Sequence, residues 1–130
     1  MIHGIGTDIV DCARFDAMLA RHGSRLADRM LSGSELTEFR TQSNPARFIA
    51  KRFAAKEAFA KAVGSGLREP VILRRISIAH DVLGKPSLQF DETLSAHLAQ
   101  LGITGHHLSI SDEKIYIVAF VVLENGQRIG

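Results

Sequence analysis

The chain has 130 residues, 45% of them hydrophobic and 23% charged, with a formal net charge of +2 and a pI near 9.0. That length suits one domain over residues 1–130 with a real core, and the composition excludes a disordered or fibrous chain. Cys12 is the only cysteine and excludes an internal disulfide, no apolar run could cross a bilayer, and sparse aromatics without Trp weigh against a base-stacking surface.

In chain order, Ile2 to Val10 reads as a strand, in which Gly4 and Gly6 mark a close backbone approach or a bulge. A helix is expected after Asp11, carrying CARFDAMLARHG to a stop at Gly23. SRLADRML gives a second short helix ending near Ser32-Gly33, and Ser34 opens a third. Pro45 then suits the first turn of a long helix capped by Ser43 or Asn44 and running to Val63. Gly64 supplies its left-handed stop.

Beyond Val71 the pattern turns extended. RRISIAHDVLGKPSLQF reads as two strands about a tight turn at Leu83-Gly84-Lys85-Pro86, and Thr93 to Leu101 as a helix ended by Gly102. The last stretch is a β-hairpin with its turn at Asp112-Glu113-Lys114. This order predicts an α+β fold, a small mostly antiparallel sheet packed on helices. One sheet face is apolar enough to call for a cover, such as another subunit.

Three stretches concentrate unusual residues: GTDIV, FAAKEAFAKAVGSG and HLSISD. On the long helix Glu57 and Lys61 lie about 40° apart, on a side whose small neighbours Ala50 and Ala54 let a ligand or backbone come close. Arg52 and Lys56 fall among Phe48, Phe59 and Val63, so they must snorkel or find partners. The plain reading of Glu57 and Lys61 is a surface pair, and of Asp8 a turn or helix cap. The chemical reading joins them: two carboxylates suit a Mg²⁺ ion, and a lysine one turn away suits the phosphate charge it carries. Gly64-Ser65-Gly66 is no Walker motif, because the lysine precedes the glycines. The histidines show no zinc spacing. On the first helix Arg14, Met18 and Arg21 share a face, either a solvated basic face or a dock for an acidic helix.

These same stretches resemble the holo-(acyl-carrier-protein) synthase family, the small bacterial 4′-phosphopantetheinyl transferases. GIGTDIVDCARF is similar to the family's G-I/L-G-x-D-I/L-V opening, and RFAAKEAFAKAVGSG to its R-F-A-x-K-E-A-x-x-K-A-x-G-S/T-G signature. LGKP resembles the family's turn, and HLSISDEKIYIVAFVV its closing strand pair, with Asp112 where many members carry His. The match runs in order along essentially the whole chain.

The resemblance implies transfer of 4′-phosphopantetheine from coenzyme A to a serine of an acidic apo-acyl carrier protein. It further implies a homotrimer with active sites at subunit interfaces, and Mg²⁺ held by Asp8 and Glu57. Glu57, or a water it orients, is then the base, and Lys61 neutralises the diphosphate. Gly64, Ser65 and Gly66 would approach coenzyme A through backbone amides, with Arg52 and His107 on its 3′-phosphate side. Arg14, Met18, Arg21 and Arg25 would form the carrier's docking face. The opening MIHGIGTDIV lacks a basic leader, so a cytoplasmic enzyme is expected, of the fatty-acid type by its short length, with no nucleic acid or membrane among its partners. The alternative is a small basic RNA-associated domain without catalysis, which would need clustered cations between exposed aromatics; here the cations are scattered among acids.

Overall fold

In the computed structural model, which describes residues 1–126, the helical run near the N-terminus gives way to strands beyond Ile76. The elements are β1 (Ile2–Asp11), α1 (Cys12–His22), α2 (Ser24–Met30), α3 (Gly33–Phe39) and α4 (Pro45–Val63). They continue as β2 (Ile76–His80), β3 (Pro86–Phe90), α5 (Glu92–Gln100), β4 (Ile103–Asp112) and β5 (Tyr116–Asn125). A 3-10 turn at Leu73–Arg75 leads into β2.

The helix ends follow their local chemistry. Asp11 caps α1 by accepting from the Ala13 amide at 2.9 Å, and Asn44 caps α4 by accepting from Arg47 at 3.2 Å. Pro45 occupies the first turn of α4, where its missing amide proton is not needed. Gly64 closes α4 with φ 101°, a left-handed conformation that glycine takes without a Cβ clash.

Two antiparallel sheets form, one in the order β1-β5-β4 and the other a β2-β3 hairpin. The expected α+β class therefore holds, and every strand pairing among the described residues is antiparallel. Alternation along β5 sends Ile117, Ala119, Val121 and Leu123 inward, all fully buried, where α4 covers them with Ala54, Ala58 and Phe59. The opposite face keeps Ile5, Ile9, Tyr116 and Phe120 between 43% and 61% exposed.

How α4 meets β1 decides where the polar side chains fall. A Cβ on Gly6 would stand 1.9 Å from the Ala58 carbonyl oxygen, and one on Gly4 1.9 Å from that of Ala62. Only glycine lets strand and helix backbones touch there, and a register shift between Ile2 and Gly4 accompanies it. Strand β1 is thus locked against α4 at Gly4 and Gly6, with no side chain between the two backbones there.

Candidate active site

Asp8 follows two residues after the Gly6 contact, so its carboxylate is delivered to the flank of α4. Its side chain is 16% exposed, and it accepts a hydrogen bond from the Lys61 ammonium at 3.1 Å. The same ammonium donates to the Thr7 carbonyl at 2.9 Å. The reading of Asp8 as a cap is corrected here: β1 runs on to Asp11, and it is Asp11 that caps α1. The reading of Glu57 and Lys61 as a surface pair is corrected too, because Lys61 pairs across to the strand rather than along its own helix.

Glu57 sits one turn before Lys61 and is half-buried. Burial raises its proton affinity above the ordinary carboxylate range, and the nearby Asp8 charge raises it further, against the opposing pull of Lys61. The Asp8 carboxylate and the Thr7 carbonyl thus meet the Lys61 ammonium, with the Glu57 carboxylate within electrostatic reach of both charges, oxygen donors of the kind that suit a hard divalent ion.

The other expected residues lie apart from this cluster within the chain. Arg52 is 4% exposed, with its guanidinium 3.5 Å above the Phe48 ring and its Nε 3.5 Å from Glu35. Arg52 also borders a polar cavity of about 320 Å³ shared with Arg47, Lys51 and His80. His107 projects from the outer face of the sheet, opposite Asp8, and pairs with Glu124. The amides of Gly64 and Gly66 both donate to the Ala60 carbonyl, at 3.1 and 3.2 Å, so they serve first to close the helix. The Ser65 hydroxyl donates to Gly66.

Arg14 and Arg21 are exposed on α1 with Met18 half-buried between them. Gly23, at φ 58°, turns the chain so that Arg25 lies on α2, where with His22 and Arg29 it borders a groove of about 520 Å³.

Three placements escaped the sequence reading. The Thr7 carbonyl gave no signal, since every residue has one. Asp112 turns out to take ion pairs from Arg47 and from Lys51, the latter at 3.2 Å, which fasten the β4–β5 turn to the start of α4. Glu35 is the partner that Lys56 needed: both are fully buried, 2.6 Å apart. A lysine among Phe and Val positions announced that need without saying which acid would meet it.

A family model described as the 4′-phosphopantetheinyl transferase superfamily matches residues 4–119. A holo-(acyl-carrier-protein) synthase of Laribacter hongkongensis is 55% identical over 124 residues, covering 95% of this chain and 99% of that one. Among solved structures, the holo-(acyl-carrier-protein) synthase of Neisseria meningitidis is 49% identical with a TM-score of 0.93, covering 96% of this chain and all (100%) of that one. The enzyme of Bacillus anthracis, solved in complex with coenzyme A (3′,5′-ADP), is 37% identical with a TM-score of 0.80, covering 97% and 99% of the two chains.

Proposed function

The chain belongs to the 4′-phosphopantetheinyl transferase superfamily, and from that premise we infer that it is a holo-(acyl-carrier-protein) synthase. It transfers the 4′-phosphopantetheine arm of coenzyme A to a serine of apo-acyl carrier protein, releasing adenosine 3′,5′-bisphosphate. The observation that carries the reading is the grouping of Asp8, Glu57 and Lys61 beside the glycine-locked strand, in a chain that matches a relative over 95% of its length.

Asp8 and Glu57 would hold a Mg²⁺ ion. When bound, that ion supplies charge neutralisation on the diphosphate. Glu57, or a water that it orients, accepts the proton of the carrier serine. The serine oxygen then bonds to the phosphorus bearing the pantetheine arm, and the bridging oxygen leaves with its electron pair on the nucleotide. Lys61 faces the diphosphate oxygens and offsets the charge that builds on the departing side.

Arg14, Met18, Arg21 and Arg25 dock an acidic carrier helix, three exposed cations around a half-buried adaptable thioether. The exposed Ile5, Ile9, Tyr116 and Phe120 form the face on which copies assemble into a homotrimer. In that assembly Arg52 and His107, which stand apart from Asp8 within one chain, would serve the 3′-phosphate side of a nucleotide bound by a neighbour. Gly64, Ser65 and Gly66 would border that nucleotide. A cytoplasmic place in fatty acid biosynthesis completes the reading, consistent with Cys12 as a free thiol.

Mass spectrometry of apo-acyl carrier protein after incubation with the enzyme, coenzyme A and Mg²⁺ tests it. The carrier gains one phosphopantetheine, and omitting the metal abolishes the gain. An unmodified carrier with metal present would refute the reading.

A further inference from the structure

The acceptors that a divalent ion on Asp8 requires already have a cation. The Lys61 ammonium sits 3.1 Å from Asp8 Oδ1 and 2.9 Å from the Thr7 carbonyl oxygen. The two partners are unequally held. Asp8 is 16% exposed and fixed in the sheet ladder opposite Ala119, whereas Lys61 is 51% exposed at the end of a four-carbon stem. Lysine is therefore the partner that can move, and an ion pair this open to water is weak enough to be displaced. A dication sharing Asp8 with the ammonium would have a second positive charge within a few ångströms, so the two exclude one another.

We propose that Lys61 is the resident counter-ion of Asp8 and that it makes binding of the divalent ion depend on coenzyme A. The diphosphate offers the ammonium acceptors of higher charge than Asp8 and Thr7 supply. Drawing Lys61 onto the diphosphate frees Asp8 at the moment when its negative charge is needed for the metal. Metal and coenzyme A then bind cooperatively, each raising the affinity for the other by the same factor. The inference rests on the reading of Asp8 and Glu57 as the metal-holding pair.

Titration with Mn²⁺, following the free-ion paramagnetic resonance signal, tests it without turnover. Wild-type protein binds Mn²⁺ weakly alone and at least tenfold more tightly with coenzyme A. The Lys61→Met variant binds Mn²⁺ alone about tenfold more tightly than wild type, as expected when one charge in direct contact is removed, and gains less from coenzyme A. Lys61→Gln behaves likewise, while Lys61→Arg, which keeps a cation beside Asp8, stays as weak as wild type without coenzyme A. Mn²⁺ affinities of Lys61→Met and wild type within twofold of one another without coenzyme A would overturn the inference. Asp8→Asn separates the two levels. If it binds Mn²⁺ like wild type in the presence of coenzyme A, the metal reading itself fails. If it loses Mn²⁺ while Lys61→Met shows no gain, only the counter-ion role is lost.

Discussion

Two of the lysine–carboxylate pairs on helix α4, those of Lys56 and Lys61, lie five residues apart, and they are opposites. Lys56 and Glu35 are fully buried, and every proton of the ammonium is used: 2.6 Å to Glu35, 2.8 Å to the Met30 carbonyl and 3.0 Å to that of Leu73. Glu35 in turn accepts from the Ser32 and Ile78 amides, so one buried knot ties α2, α3, α4 and β2 together. Lys61 is open to water above a mostly covered Asp8, and the Asp8 charge is close enough to Glu57 to raise its proton affinity. A saturated ion pair holds a fold; an open one beside a like charge leaves room for chemistry.

The sharpest way to break that contrast is to exchange the effects. On the proposed reading Glu57→Gln lowers the transfer rate by about 10²–10⁴-fold, the usual worth of a positioned base, while the urea midpoint stays near that of wild type. A normal rate would remove Glu57 from the reaction. Lys56→Met does the reverse. It takes the closest cation from the buried Glu35 carboxylate and leaves it with Arg52 at 3.5 Å and two amides, which costs about 3 kcal/mol in urea unfolding, with the pH dependence of the surviving activity unchanged. A loss below about 1 kcal/mol would show that the knot is not structural.

Next in size is the contact that aligns the two pairs. Gly6→Ala forces a Cβ to within 1.9 Å of a backbone oxygen that cannot swing aside. Overpacking of this kind costs about 1–3 kcal/mol, and by shifting β1 it lowers turnover more than it changes the KM for coenzyme A. A variant with wild-type stability and kinetics would mean that the strand tolerates a gap from the helix.

A smaller effect is expected from the docking face. Arg14→Glu with Arg21→Glu raises the KM for acyl carrier protein about tenfold at low salt, and the difference shrinks as salt screens it. A KM that ignores both changes would move docking elsewhere.

The smallest effect is a shift in titration. In the metal-free protein Glu57 takes up its proton at higher pH than an ordinary glutamate, so divalent-ion binding, which needs the carboxylate ionised, weakens as pH drops through that raised pKa. By linkage, a raised folded-state pKa gives stability that is present below the unfolded value and lost as pH rises through the folded one. In Asp8→Asn the second cause of the shift is gone, and the Glu57 carboxyl followed by carbon-13 resonance titrates lower than in wild type. An unchanged titration would mean that burial alone raises it.

Much of this was legible beforehand, for local reasons. Gly4 and Gly6 announced a close approach or a bulge, and the strand has both a close approach and a register shift there, while Pro45 and Gly64 bounded α4 because each has a favoured place at a helix end. Asp8, Glu57 and Lys61 stood out by type and spacing, and the fold brings them together. What stayed hidden was pairing across distance. Nothing in sequence tells which acid Lys61 will choose, since the i,i+4 glutamate is nearer along the helix than a strand 53 residues away. Asp8 wins because β1 is pressed onto α4. Glu35 and Asp112 were missed for the same reason, their partners lying 21 and 65 residues away in sequence.

The most direct measurement of the central claim is a crystal of the protein with coenzyme A and Mn²⁺, scanned for anomalous scattering. One peak touching both the Asp8 and Glu57 carboxylates, with the Lys61 ammonium turned onto the diphosphate, is the expected result. Coenzyme A bound with its metal held away from either carboxylate would contradict the account.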